Sequence, residues 1–332
     1  MGFLYYYSQR NAFDKDIYQQ IYLGLCSYAP KIKINKTSKE KAFEIYQDVL
    51  NDHPELSVID PSEVNAEYSI TEFWILPGYW FPEYQVYNNH MQFLDECTFI
   101  ANRITNSQAN ELQKEIAIHD FMVRNIRYGL CDKEIKISEK LSQSAFSTLF
   151  ERKGVCKGIS MLFKCLADLV GLNVMVIEGE VFDTQWAPHA WNLINIDGKF
   201  FHVDLTQDIV TYQNEGLCIY NGLNMLDAEM FSRYRWNKAK YPKCIGSPLG
   251  FYEYEKLIVH DEVDLCRELK KQINHRKSVL YFRVMAGSIL SCKTQDEIAE
   301  MVVNSVADVM NKNVSIRYIF DKESGKCVVE VQ

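Results

Sequence analysis

No stretch of the 332-residue chain escapes charge for long: Lys, Arg, Asp or Glu interrupts every apolar run well before the roughly 18 residues that a membrane-spanning helix needs. The first ten residues contain three consecutive tyrosines but no basic segment leading into an apolar one, so they do not read as a secretory leader. As written, the chain is expected to be cytoplasmic, and an export signal or anchor outside this sequence would change that expectation. No run of Lys and Arg forms a polyanion footprint; the formal net charge of -8 is spread along the length, which argues against a nucleic-acid partner. The ten cysteines make no CxxC pair and, with the seven histidines, no zinc spacing. A chain of this size builds a core without staples, so most of these thiols read as reduced, buried small hydrophobes. A Walker loop, a dinucleotide fingerprint and an alternating Asp/Gly calcium loop are all missing, and no cofactor or metal is expected.

What remains is an ordinary globular composition, 47% apolar and 24% charged, in a chain long enough for two or three packed units. Helical patterns over 13–28 and 38–50, a strand-like 67–76 and an aromatic loop 77–87 make a mixed α+β unit. A further helical pattern over 91–104 ends at Thr105-Asn106-Ser107, and the spacing puts a boundary there. Beyond it come a long helix over about 108–128 and a shorter one over 144–150. Ile159, Leu162, Phe163, Leu166, Leu169 and Val170 then recur at three- and four-residue steps, giving one apolar face with Gly171 as the stop. Three strand candidates follow, 174–180, 189–196 and 199–205. The last eighty or so residues show a β-α-β-β pattern: a strand over 279–284, a helix opened by the capping box Thr294/Glu297 and running to about Met310, and a hairpin from 314–320 and 327–331. The expected units are therefore 1–106, 107–245 and 246–332.

Cys156 stands where the glycine-containing Gly154-Val155 meets the start of the clearest helix. Unpaired N–H groups and the dipole at a helix N-terminus favour a thiolate, the reactive form, and the same groups suit an oxyanion beside an attacking sulfur. Cys165, one of the nine other thiols, illustrates the bland reading of a merely buried cysteine. The dipeptide Asp197-Gly198 between two apolar-aromatic strands is a hairpin signal that fixes a register. If Ile196 pairs with Lys199, Trp191 falls opposite Asp204 and His189 opposite Thr206, all on one face. His189 and Asp204 become diagonal neighbours, within reach of each other's side chains. A carboxylate on one imidazole nitrogen leaves the other to deprotonate a thiol. His202, opposite Leu193 on the same face, is a competing base nearer the turn.

The blocks Lys153-Gly154-Val155-Cys156-Lys157-Gly158, His189-Ala190-Trp191-Asn192 and Phe201-His202-Val203-Asp204-Leu205-Thr206 resemble, in order and spacing, those of the transglutaminase-like superfamily. Upstream, His119-Asp120-Phe121 and Arg124 to Tyr128 extend the resemblance, as does the stretch 220–244 downstream; Asp52-His53-Pro54-Glu55-Leu56 is similar to bacterial members. The resemblance implies an α+β fold with a papain-like core, a nucleophile helix packed on an antiparallel sheet, flanked by the N-terminal α+β unit and the C-terminal β-α-β-β unit. It implies Cys156 as nucleophile, His189 as base and Asp204 as the residue that orients it, in a cysteine enzyme that forms a thioester with a protein or peptide acyl group and passes it to an amine or to water. Where many bacterial members read Thr-Trp-Asp this chain has Thr206-Gln207-Asp208, an amide in place of an aromatic ring. Gln143, Tyr128 and Trp186 are candidate oxyanion donors by type and rough location.

Glu178, Glu180 and Asp183 suit solvent-facing strand positions as well as a metal. The five tryptophans read as core and rim aromatics before they read as a peptide groove. The alternative to an enzyme is a binding or scaffold protein that keeps the fold without turnover; retention of all three residues favours the enzyme. The loops that would separate hydrolysis from crosslinking are expected over 182–188 and 207–220. Water is always present and must be actively excluded by a transferase, which tilts the expectation towards hydrolysis.

Overall fold

The computed structural model describes residues 2–131, 139–310 and 314–332. It divides into two compact units, Met1–Thr206 with Leu226–Ile245, and Gln207–Met225 with Gly246–Gln332. The first opens with helices Ala12–Cys26 and Lys39–Asp52, each started by a side chain that accepts a backbone N–H in the first turn, Asn11 from Asp14 and Ser38 from Lys41. Their apolar faces meet a three-stranded sheet of β1 (Ile32–Ile34), β2 (Ile59–Tyr68) and β3 (Phe73–Tyr79) in a core that includes Ile17, Ile21, Ile45, Val49, Phe73 and Ile75. The single strand expected over 67–76 is thus the hairpin of β2 and β3. Its turn, Ser69 to Glu72, is closed by a Ser69 N–H to Glu72 carbonyl bond and by the Ser69 hydroxyl, with no glycine or Asn-Gly to announce it.

The aromatic loop expected over 77–87 is half helix, because Glu83–Ile104 is one continuous element. Pro82 fixes its entry, and Val86, His90, Phe93, Cys97 and Ile100 form the buried stripe that stabilises the extra turns. Helix Glu111–Asn125 is shorter than the pattern suggested. A reciprocal capping box between Asn110 and Gln113 starts it, and the chain turns extended at Ile126. The short parallel pair β4 (Arg127–Tyr128) and β5 (Lys153–Gly154) then sets Tyr128 opposite Gly154, two residues before Cys156.

Helix Cys156–Leu169 is the central element. Ile159, Leu162, Phe163 and Leu166 are buried, each worth about 1.5–3 kcal/mol, whereas Leu169, expected on that face, is 44% exposed at the fraying end. The helix packs on a four-stranded antiparallel sheet in the order β8-β7-β6-β9, built from β6 (Asn173–Phe182), β7 (Trp186–Ile196), β8 (Lys199–Val203) and β9 (Tyr234–Trp236). Asn192 locks helix to sheet by donating to the carbonyls of Ser160 (3.1 Å) and Met175 (3.3 Å). Strands β6 and β7 run nearly to each other's ends, so the loop expected over 182–188 reduces to a three-residue turn. The loop expected over 207–220 begins as helix Leu205–Glu215.

The second unit contains a sheet in the order β10-β11-β13-β12, made of β10 (Ile258–Val259), β11 (Val279–Val284), β12 (Ile316–Asp321) and β13 (Lys326–Val331). The expected strand, capped helix (Gln295–Met310) and hairpin are present, with Thr294 and Glu297 exchanging the predicted bonds. A helix over Glu262–Asn274, capped by Asp261, was not anticipated; only Leu265 and Leu269 of its apolar residues are fully buried, too sparse a stripe to read. Among the described residues, no helix is long and apolar enough to cross a membrane.

Candidate active site

Two glycines explain how the Cys156 turn can form. A Cβ on Gly154 would lie 2.3 Å from Thr148 Oγ1, and one on Gly158 would lie 2.4 Å from the same atom and 2.6 Å from the Ser142 carbonyl. Only bare backbone lets the segment 142–148 close over the start of the helix. Ser142 accepts the Val155 N–H at 3.0 Å, which leaves Cys156 at the first helical position, partly exposed, with first-turn N–H groups that lack intrahelical partners by geometry.

Asp197 (φ 49°) and Gly198 (φ 79°) both adopt the left-handed conformation of the tight hairpin turn, and the ladder runs from Ile196/Lys199 to Asn192/Val203 in the expected register. Leu193 faces His202 as anticipated. The ladder then stops, because β8 ends at Val203 and Leu205 starts a helix; His189 is therefore not paired with Thr206 but with Gly179 on β6. Asp204 sits at the joint between strand and helix, free of the ladder. From there its Oδ2 meets His189 Nε2 at 2.8 Å.

The carboxylate is fully engaged. Besides His189, its Oδ2 accepts the Tyr234 hydroxyl at 2.7 Å and its Oδ1 accepts the Thr206 N–H at 3.0 Å. Burial pushes the Asp204 carboxyl up, but the charge and bond of His189 and the donors Tyr234 and Thr206 outweigh it and hold it below its usual range. Burial likewise opposes a charge on His189, yet the Asp204 charge and hydrogen bond, followed by those of Cys156, raise it to about 10. With Nε2 turned to Asp204, Nδ1 is the nitrogen left for a second partner, and Cys156 lines the same cavity as His189. Tyr234 escaped the sequence reading because β9 is three residues long and shows no alternation.

His202, the competing base, is removed by its neighbours. It is fully buried, its Nδ1 accepts the Trp191 indole N–H at 3.0 Å, and its Nε2 lies 2.9 Å from Asp227 Oδ1. An indole only donates, so Nδ1 is unprotonated and Nε2 carries the proton given to Asp227. Burial, only partly offset by Asp227, lowers its pKa. His202, Asp227 and Cys244 offer donor atoms within 4.8 Å of one another, but that tautomer keeps Nε2 from ligating a cation, and burial with the Asp227 charge pushes the Cys244 thiol well above its usual value. Cys165 is a free, buried thiol whose pKa is raised by the neighbouring Cys97 thiol and by burial.

Cys156 and His189 open into a cavity of about 520 Å³. Its walls include Leu50, Leu56 and Ile59 from the N-terminal α+β unit, and Met161, Pro188 and Ala190 from the helix and sheet. Of the three candidate oxyanion donors, Gln143 lines the same cavity as Cys156. Tyr128 is brought close by the β4–β5 ladder; burial first, then the charges of Cys156 and Asp204, raise its pKa. Trp186 lies beneath the Arg235 guanidinium, 3.7 Å from ring centre to Cζ, and does not border the cavity. Glu178 pairs with Lys157; Glu180 and Asp183 are exposed, as expected of solvent-facing positions.

Residues 98–205 match the family model described as transglutaminase-like superfamily. None of the curated proteins matches the chain. Among solved structures it is similar to a candidate cysteine protease from Cytophaga hutchinsonii (19% identity, 49% of this chain and 64% of that one, TM-score 0.29). It is also similar to a candidate protease from Parabacteroides distasonis (15%, 42% and 32%, TM-score 0.26) and to a TGase (15%, 52% and 49%, TM-score 0.30). The chain spans less than two thirds of the length of each. With its helix on an antiparallel sheet and the three sequence blocks in order, the segment 98–205 is a transglutaminase-like core.

Proposed function

We propose that the protein is a cysteine-dependent acyl-transfer enzyme acting on proteins or peptides through a thioester. Cys156 is the nucleophile, His189 the base and Asp204 the residue that orients the imidazole. The observation that carries this reading is the His189–Asp204 pair, with Nε2 2.8 Å from the carboxylate, on the wall of a mostly apolar cavity that Cys156 also lines from the first position of its helix. In the first step the sulfur adds to the acyl carbon while its proton resides on His189 Nδ1. Collapse of the tetrahedral species breaks the carbon–nitrogen bond, and the departing amine takes that proton. Water or a second amine then adds to the thioester, delivering its proton to the neutral imidazole, and the thiol is released. First-turn N–H groups of the helix, with Gln143 as an amide side chain on the wall, are the donors available to the oxyanion.

Hydrolysis is the favoured outcome, since the cavity is open to solvent water. The N-terminal unit takes part in substrate access, a role supported by Leu50, Leu56 and Ile59 on the cavity wall. The test is mass spectrometry of a peptide mixture incubated with the enzyme and an isotopically labelled primary amine. Clipped peptides are expected; amine incorporation would indicate transfer, and one-dalton gains at glutamine would indicate deamidation. Identical product patterns from the Cys156→Ala protein would overturn the reading.

A further inference from the structure

Beside this site lies a basic edge that the thioester chemistry does not use. In a chain of net charge -8, residues 231–240 contain four Lys or Arg and no Asp or Glu. They surround β9, the edge strand of the sheet. Arg233, Arg235, Lys238 and Lys240 are exposed, and none makes an ion pair within 4.0 Å among the described residues. Three of the four lie instead on aromatic rings: Arg235 on Trp186 at 3.7 Å, Lys238 on Phe231 at 3.6 Å, Lys240 on Tyr6 at 4.8 Å.

Strand register relates Arg235 to the site. Glu180 on β6 is paired with Pro188 on β7 on one side and with Arg235 on β9 on the other, so the three side chains stand in a row on one face. Pro188 lines the cavity next to His189. Two strand spacings put Arg235 about 10 Å from Pro188, a distance an extended peptide covers in about three residues. Held against the indole at 3.7 Å and exposed, the guanidinium keeps the planar set of N–H donors that can take a carboxylate in two parallel bonds. Glu180 is the acid nearest in register and does not pair with it.

We propose that Arg235, supported by Arg233 and Lys238, is a specificity site for an acidic substrate residue about three positions from the acyl group that Cys156 attacks. The inference rests on the thiol reading above and names the substrate class for it: protein segments carrying Asp or Glu near the reacting residue. Cations on an edge strand also deter sheet-to-sheet pairing, and that role alone predicts no charge preference at Cys156.

The experiment compares alkylation of Cys156 by iodoacetyl-Gly-Gly-Glu-amide, its Gln and Lys counterparts, and iodoacetamide, followed by peptide mass spectrometry. Each peptide rate is divided by the same protein's iodoacetamide rate. The Glu probe should exceed the Gln probe about threefold, the Lys probe should be slowest, and the preference should fade between about 20 mM and about 500 mM salt. Arg235→Gln should erase most of the preference and Arg235→Glu should invert it. Equal Glu and Gln rates, or a preference unchanged in Arg235→Glu, would overturn the proposal while leaving the thiol chemistry standing. An iodoacetamide rate at Cys156 no greater than at exposed Cys26 and Cys292 would remove the thiol reading, and the specificity site with it.

Discussion

His189 on β7 and His202 on β8 each hold an aspartate at hydrogen-bond distance, 2.8 Å to Asp204 and 2.9 Å to Asp227, yet their charge states are driven in opposite directions. What separates them is the second nitrogen of each ring. In His189 it is the nitrogen that Asp204 does not take, on a ring that lines the same cavity as Cys156; in His202 it is occupied by the Trp191 indole N–H inside the core. The partner carboxylates differ as well. Asp204 is buried among three donors, whereas Asp227 leaves its histidine to the desolvation that lowers it. One histidine–aspartate pair thus keeps its second ring nitrogen unoccupied and the other does not.

Substitution of the two histidines should separate the pairs most widely. His189→Ala is expected to cut turnover by about 10²–10⁴-fold and also to cost stability, because it leaves the buried Asp204 carboxylate without its cation. His202→Ala should cost about 2–4 kcal/mol in urea unfolding, because it opens a cavity and orphans the Trp191 N–H, and it should lower turnover far less. Comparable losses of turnover in the two variants would break the comparison. Asp204→Asn is expected to reduce turnover about 100-fold or more by loosening the imidazole and presenting an N–H where an acceptor is needed, while Asp227→Asn should register chiefly as a fall in stability.

The pH dependence of stability sharpens the contrast, with opposite signs. His189 is raised from 6.5 to about 10, so its pair with Asp204 stabilises the fold fully below pH 6.5 and loses that contribution as pH rises towards 10. On the acid side the same pair weakens as pH falls through the depressed value of Asp204. His202 is lowered from 6.5, so its contribution is present above that pH and declines below it, where the unfolded chain gains the proton first. Unfolding curves of the wild type and the two alanine variants across pH should show the His189 increment shrinking on the alkaline limb and the His202 increment on the acid limb. A His189 increment constant up to pH 10 would contradict the ion pair.

The smallest effect belongs to Tyr234. Tyr234→Phe takes one donor from Asp204, makes the carboxylate a stronger partner for the imidazolium, and should raise the His189 pKa further, with a few-fold loss of turnover. NMR titration of the His189 ring reads this directly, and an unmoved pKa would show that the tyrosine only fills space.

The His189–Asp204 pair and the place of Cys156 at a helix start were legible because short-range rules govern them. A glycine turn before an amphipathic helix marks Cys156, and Asp197-Gly198 fixes a register that brings His189 and Asp204 to adjacent positions. That reading extended β8 two residues too far, since nothing in Val203-Asp204-Leu205 signals the switch from strand to helix, and the departure is what frees Asp204 from the ladder. His202 kept the rank of a rival base because its disqualification depends on Trp191 across the hairpin and on Asp227, 25 residues downstream. Tyr234 and Arg235 share the same difficulty: their strand is held by pairing with β6 rather than by its own pattern. Contacts set by tertiary closure leave no local trace.

The central claim is that His189 activates the sulfur of Cys156, and the rate of alkylation at that one cysteine measures it most directly. With iodoacetamide at about pH 6, followed by peptide mapping, Cys156 should react faster than any other thiol in the chain and should slow at least about tenfold in His189→Ala. Equal rates in the two proteins, or a Cys156 as inert as buried Cys165, would contradict the account.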